Sequence, residues 1–290
     1  MKIYKNILIA LDLSEKSWHA FLEALKILQE KDTQGVILTV VPRFTRYLGH
    51  SGDIDLTHID NLQDRIYAPY MELKKKVQQV LKERNITTVK IVLEEGEEPY
   101  QKILDTAYTN NCDLIVMGRT SGKARTYFIG STTARVIGNS PIDVLVVPYT
   151  KSINFNKILV AVDGSSFAEK AFYKALVLAK EHQSQLFVLS VEDIPVEIYE
   201  YAPEIGERAL EKRCMYIETL VKKANEEGVK SEGMVRSGPP SDKIVEIAKK
   251  IQADLLVMGT YGRTGVKRLL MGSTTERVLL LRAFPVLVVK

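Results

Sequence analysis

The segment Lys5-Asn6-Ile7-Leu8-Ile9-Ala10-Leu11-Asp12 returns 151 residues later as Asn156-Lys157-Ile158-Leu159-Val160-Ala161-Val162-Asp163. Two more segments recur in the same order: residues 112–118 at 253–259 and residues 144–147 at 286–289, at offsets of 141 and 142. Self-similarity at one long spacing means a duplicated folding unit, which rules out a single large irregular domain. The copies are expected over residues 1–150 and 156–290, joined by a short linker at 151–155 that should hold them packed together. The falling offset puts the surplus length of the first copy between Val40 and Met71, in an enlarged loop over 43–66.

Each copy alternates short apolar runs with helical patterns, the signature of βαβ units around a parallel sheet. In the first copy the runs fall at residues 7–11, 36–41, 89–93, 114–117 and 144–147, which predicts five strands. Trp18, Phe21, Leu22, Leu25 and Leu28 then share one helical face, with Ser14 as the N-cap. The second copy has Phe172, Ala175, Leu176 and Ala179 after a capping-box pattern at Ser166 and Glu169. A charged helix is expected over 70–84 and again over 209–227, and Pro99 and Pro240 read as the first residues of later helices. The fold class is therefore α/β: two tandem doubly wound, five-stranded, Rossmann-like parallel-sheet domains with strand order 3-2-1-4-5.

Charge and cysteine content exclude several classes. Forty basic against thirty-six acidic residues leave a net charge of +4, divided as +1 and +3 between the copies, so neither copy carries the basic excess of a nucleic-acid binder. Cys112 and Cys214 make no disulfide framework, so a reducing cytoplasmic setting is expected. No apolar run approaches the roughly 18 to 20 residues of a membrane span. His19, His50, His58 and His182 show no ligand spacing with a cysteine, and no metal site is read from them. The turn after the first strand lacks G-x-G-x-x-G, which argues against a nicotinamide dehydrogenase, and residues 118–124 lack the spacing and the hydroxyl of a P-loop.

In an open parallel sheet, ligands gather at the carboxyl ends of the strands. Two features of each copy fall there: the aspartate after strand one, Asp12 or Asp163, and a glycine-rich segment after strand four. In the second copy that segment holds Gly259, Gly262, Gly265, Gly272, Ser273 and Glu276. Glycines let backbone N–H groups approach an anion, and a helix opening at Ser273 would add its dipole. The same residues also suit a tight turn closed by an S-x-x-E capping box, with no ligand at all.

The spacing Gly259-x-x-Gly262, nine residues, then Gly272-Ser273, after a strand ending in Met-Gly and before a Val-Leu-Val-Val strand, resembles the nucleotide-binding motif of the universal stress protein family. With the opening strand-Asp-x-Ser element the likeness covers essentially the whole chain, as a tandem pair of family domains. In the ATP-binding branch of that family the loop glycines and the hydroxyls after them hold phosphates. The strand-one aspartate lies near ribose, phosphates or metal, and the backbone of strands two and four meets the adenine. Carried over, the resemblance implies Ala161, Asp163, Val191, Met258, Gly259, Gly262, Gly272, Ser273 and Thr274, with ATP and magnesium as ligands.

The first copy departs from this pattern. Ser121 stands at the second glycine position, only eight residues precede Gly130, and Ala134 replaces the capping glutamate. Its counterparts, Asp12, Val40, Met117, Gly118, Gly130, Ser131 and Thr132, are therefore the weaker candidates, with Arg119, Lys123 and Arg125 either compensating by charge or simply solvated. The leading expectation is an adenine-nucleotide-binding regulatory or stress-response protein. Slow ATP hydrolysis is an alternative, although no residue is an evident water-positioning base; a nucleotide-free interaction scaffold in the first copy is another. Pairing of residues 144–147 with 286–289 inside the chain, and a homodimer of four domains, are the assemblies the duplication allows.

Overall fold

A computed structural model describes residues 2–43, 57–119, 129–262 and 271–290, with residues 57–63, 196 and 199 described by their backbone alone. The first half runs β1 (Asn6–Ala10), α1 (Glu15–Leu28), β2 (Gln34–Pro42), α2 (Thr57–Glu83), β3 (Val89–Gly96), α3 (Pro99–Thr109), β4 (Leu114–Gly118), α4 (Ser131–Asn139) and β5 (Asp143–Val147). The second half repeats the order with β6 (Lys157–Ala161), α5 (Ser166–His182), β7 (Gln185–Glu192), α6 (Val196–Tyr201), α7 (Pro203–Glu226), β8 (Ser231–Ser237), α8 (Pro240–Ile251), β9 (Leu255–Gly259), α9 (Ser273–Leu281) and β10 (Val286–Val289). The strands form one sheet in the order β3-β2-β1-β4-β5-β10-β9-β6-β7-β8. Each half thus has the order 3-2-1-4-5, and every ladder is parallel except the central one, where Leu287 faces Leu145 between antiparallel β10 and β5.

The central strands β4, β5 and β10 are buried along their whole length, because helices cover both faces. One apolar layer combines residues of α1, α2, α5 and α7, such as Phe21, Val77, Phe172 and Leu220; the other combines α3, α4, α8 and α9, through Ile103, Ile137, Ile244 and Leu279. Both layers cross from one half to the other. Residues 151–155 are docked: Ile153 is buried, its N–H donates to Glu23 at 2.7 Å, and Phe155 stacks on His182 with ring centroids 4.1 Å apart.

Several local expectations are corrected. The helix expected from residue 70 starts at Thr57, so the second part of the enlarged loop is helical, and Pro69, which would normally mark a helix start, lies inside α2. Residues 44–56 lie outside the described residues. Its counterpart α7 likewise begins earlier than residue 209, at Pro203. The N-cap of α5 is Ser165, whose side chain accepts from the Ala168 N–H, so the box at Ser166 does not form. Ser14 caps α1 as expected. Cys112 is buried, with its thiol pushed up to about 11 by burial and then by the Asp113 charge, whereas Cys214 is exposed. Among the described residues no helix is long and apolar enough to cross a membrane.

Two cations, the buried Arg119 and the half-buried Lys290, span the junction of the halves. Arg119, just past β4, donates from Nη1 to the carbonyls of Leu279 and Leu280, the latter at 2.8 Å, at the C-terminal end of α9. Lys290, just past β10, donates from Nζ to the Ile137 carbonyl near the end of α4. Carbonyls at a helix C-terminus attract cations, which offsets part of the cost of burying them. Asp143 completes the junction, accepting from the Tyr4 hydroxyl at 2.8 Å and the Lys290 N–H at 3.0 Å and pairing with Lys174 at 3.0 Å.

Burial pulls the Lys290 ammonium from its ordinary 10.5 down to about 8, against the attraction of Asp143. Between those values the unfolded chain holds the proton that the folded chain has released, so the contribution of Lys290 to stability rises with pH. Urea midpoints of the native protein and Lys290→Met should therefore converge or cross in favour of the native residue as pH is raised from 8 toward 10. A second expectation concerns glycines: a Cβ on Gly118 would lie 2.6 Å from the Lys16 carbonyl oxygen, and one on Gly259 2.8 Å from the Phe167 carbonyl carbon. Gly118→Ala and Gly259→Ala should each lower stability by about 1–3 kcal/mol, read from urea unfolding.

Candidate nucleotide site

The strand order reverses beside β1 and β6, leaving a crevice at their carboxyl ends. In the second half all nine anticipated residues, Ala161, Asp163, Val191, Met258, Gly259, Gly262, Gly272, Ser273 and Thr274, line a single cavity of about 430 Å³. Ala161, Val191 and Met258 come from the ends of β6, β7 and β9, which form its floor. Leu189, Glu192, Asp193, Pro240, Ile244, Tyr261 and Thr275 also line it and were not anticipated. Pro240 and Ile244 belong to α8, whose contribution depends on tertiary packing and leaves no motif in the sequence.

The glycine segment is pinned at both ends. Thr260 donates its backbone N–H and its hydroxyl to the Val289 carbonyl, at 3.0 and 2.7 Å, and its own carbonyl accepts from the Gly272 N–H at 2.8 Å. Thr275 Oγ1 donates to the Gly259 carbonyl at 2.9 Å. The S-x-x-E box is not formed here either: Gly272 is the N-cap, Ser273 is the first helical residue, and Gly272 offers no side chain to the first-turn N–H groups. The start of α9 at the cavity wall is thus a helix end without a side-chain cap, the arrangement that suits an anion.

The glycines serve different ends. Gly259 is required because α5 packs directly on it through Phe167. Gly262 is not among the glycines with positive φ; a Cβ there would instead meet Asp163 Oδ2 at 2.7 Å, inside the cavity. The constraint at this position is therefore the proximity of the aspartate, and not a left-handed backbone. Asp163 is oriented by its turn, with Oδ1 accepting from the Ser165 N–H at 2.9 Å. Arg213 of α7, also unanticipated, donates from Nη1 to the Asp163 carbonyl at 2.9 Å and from Nε to Glu192 at 2.7 Å.

The first-half crevice is smaller. Asp12, Val40, Met117, Gly118 and Thr132 line a cavity of about 120 Å³, while Gly130 and Ser131 do not line it. Asp12 Oδ1 accepts from the Ser14 N–H at 2.9 Å and from the Ser17 hydroxyl at 2.6 Å, so its own turn engages its carboxylate twice. Arg119 is neither solvated nor turned to this cavity; it is buried at the junction, where burial and then Arg282 pull its pKa down to about 10. Ser121, Lys123 and Arg125, and the cations Arg263, Lys267 and Arg268 of the second loop, lie outside the described residues, as does His50.

Away from both crevices, Glu30, Glu181 and His182 bring ligand-type atoms within 4.8 Å of one another, a grouping the sequence did not reveal because it joins the two halves. Glu30 is paired with Lys2 at 3.1 Å and Glu181 accepts from the Ile3 N–H at 3.2 Å.

Comparison with known proteins adds a lineage to this geometry. The model of the universal stress protein family matches residues 3–148 and again residues 154–290. Universal stress protein MJ0531 of Methanocaldococcus jannaschii is 39% identical over 147 residues, covering 47% of this chain and 82% of its own length. Universal stress protein YxiE of Bacillus subtilis is 33% identical over 147 residues, covering 47% of this chain and 99% of its own length. Among solved structures, a universal stress protein from Archaeoglobus fulgidus superposes with a TM-score of 0.73 at 24% identity, covering 98% of each chain, a likeness of fold across both halves.

Proposed function

The chain belongs to the universal stress protein family, with two copies of the family domain, and on that premise we propose that it is an adenine-nucleotide-binding regulatory protein that holds ATP in the second-half cavity. The observation that carries this reading is the convergence of Asp163, Gly262, Gly272, Ser273 and Thr274 on one cavity of about 430 Å³, within the roughly 300–1,000 Å³ of small-ligand sites. Its chemistry is divided as a nucleotide requires. Ala161, Leu189, Val191, Met258 and Ile244 give an apolar floor for a base, and the start of α9 offers N–H groups to phosphates. Asp163, set against the glycine segment, is the group suited to a magnesium ion bound with the phosphates.

The domain limits that best serve this reading are 1–150, carrying a degenerate glycine segment, and 156–290, carrying the complete one. A ligand-free first half is favoured by its cavity of about 120 Å³ and by the Ser17 hydroxyl on Asp12. In that reading the first half is a scaffold that covers β10 through β5, so that one chain supplies the strand pairing for which a single-domain relative would need a second copy. Further association into a homodimer would use surfaces other than β5 and β10. Family membership and the free thiols of Cys112 and Cys214 support a stress-linked role in a reducing compartment such as the cytoplasm. ATP turnover is at most weak in this reading: of the acidic lining residues, Glu192 is paired with Arg213 and Asp163 is assigned to magnesium. Nucleotide occupancy would add stability by mass action.

Isothermal titration with ATP and magnesium tests the assignment. One molecule should bind per chain; Gly262→Val, which fills the space beside Asp163, should abolish binding, and Asp12→Ala should leave the stoichiometry unchanged. Retained affinity in Gly262→Val, or a stoichiometry that falls in Asp12→Ala, would refute the second-half assignment.

A further inference from the structure

We propose that Arg213 is a positioning residue that selects for anionic, polyphosphate-bearing ligands over uncharged ones at the second-half cavity. The inference rests on the nucleotide reading and goes further, to which form of nucleotide the cavity accepts and why.

Three acidic residues are among the described residues that line the cavity, Asp163, Glu192 and Asp193. Left uncompensated, they would repel a phosphate chain, because like charges near a partly buried site interact strongly. Arg213 answers this directly. Its Nε donates to Glu192 Oε2 at 2.7 Å, with the two side chains only 15% and 18% exposed, and its Nη1 donates to the Asp163 carbonyl at 2.9 Å. The rigid, planar guanidinium can serve both acceptors at once, which a lysine ammonium on a flexible stem would not do in the same way. One side chain therefore removes a negative charge from the cavity wall and braces the turn that carries Asp163.

The surrounding residues are fitted to this arrangement. Gly164, next to Asp163, has φ of +84°, and a Cβ there would lie 3.1 Å from Arg213 Nη1. In the first half, buried Val77, Leu81 and Ile86 occupy the places of Leu220, Ala224 and Val229, which aligns Tyr70 with Arg213. The pairing of β2 and β7 from Gln34 and Gln185 aligns Val41 with Glu192 and Pro42 with Asp193, and Leu13 stands in the place of Gly164. Tyr70 lies near the strand-one aspartate too, for burial and then the Asp12 charge raise its pKa. Acid, acid, cation and glycine in one half thus correspond to valine, proline, tyrosine and leucine in the other. Four positions from three separate segments differ together; in the second half Glu192 and Asp193 line the cavity, while Gly164 and Arg213 stand at the turn that carries Asp163.

The experiment is calorimetric titration of the full chain with ATP, ADP and adenosine at one fixed magnesium and salt concentration. Arg213→Met should weaken ATP by about tenfold or more, as expected when one member of a hydrogen-bonded charge pair is removed, ADP by less, and adenosine by under about twofold. Adding Glu192→Gln to Arg213→Met should restore most of the ATP affinity. Should Arg213→Met fail to fold by circular dichroism, Glu192→Gln alone reads the same charge balance from the other side: ATP should bind more tightly relative to adenosine. Equal losses for ATP and adenosine in Arg213→Met, or an unchanged ATP-to-adenosine ratio in Glu192→Gln, would overturn the proposal while leaving the nucleotide reading intact. Failure of the unmodified protein to bind ATP or adenosine would refute both.

Discussion

The close seat of α1 on the end of β4, and of α5 on the end of β9, is the contact on which the rest of each half depends. A Cβ on Gly118 would press on the Lys16 backbone at 2.6 Å, and one on Gly259 on the Phe167 backbone at 2.8 Å. Glycine at these points lets each helix start directly against the sheet, so that Phe21 and Phe172 reach full burial a turn later. The same approach brings the turn after strand one beside the loop after strand four. That is why an aspartate and a glycine segment far apart in sequence meet at one crevice. Gly259 therefore acts first on the fold and only through it on the site, whereas Gly262 and Gly272 shape the crevice itself.

The junction of the halves follows a related logic. Covering both faces of β5 and β10 removes their side chains from water, and the antiparallel ladder satisfies their backbone. Arg119 and Lys290 each leave one half to meet carbonyls at the end of a helix in the other. Those helices, α9 and α4, begin at the two crevices. The helix whose start walls the second cavity is thus fixed at its far end by the residue that follows Gly118 of the first. A cation at a helix C-terminus is favourable, but Arg119 Nε and Nη2 are buried without hydrogen-bond partners among the described residues, so part of that gain is given back.

The repeat made most of this architecture legible. Continuous apolar runs betray strands buried on both faces, and five of them per copy, separated by helical patterns, dictate the doubly wound order. Much of the cavity lining was legible as well, because Asp163, Gly262 and Gly272 follow strands that pattern alone locates. Cap positions were legible in part: Ser14 caps α1 as its pattern implies, but Ser165 and Ser166 are adjacent hydroxyls with a glutamate in range, and only the observed bond to the Ala168 N–H chooses between them. Arg213 was hidden for a different reason. The enlarged segment of the first half changes the offset from 151 at Asp163 to 143 at Arg213, so its counterpart Tyr70 cannot be found until the buried faces of α2 and α7 are matched in space. The reach of α8 into the cavity is likewise a product of packing between elements.

The two halves show how a fold can be kept while its crevice changes. Their backbones share the strand order, the glycine contact and the aspartate turn, all of which are set by packing. What differs is the charge and volume of a few side chains. Ser17 holds Asp12 through its hydroxyl at 2.6 Å, and Ala168 at the matching position leaves Asp163 without that bond. Leu13, Val41 and Tyr70 stand where the second half has Gly164, Glu192 and Arg213, so an acid and a cation are exchanged for carbon and a phenol. These exchanges include the buried positions Val41, Ser17 and Ala168, and together they accompany a fall in cavity volume from about 430 to about 120 Å³. Duplication supplies the freedom for this: a half that no longer needs to bind can still cover β10, cap α9 with Arg119 and complete the buried layers on which the other half relies.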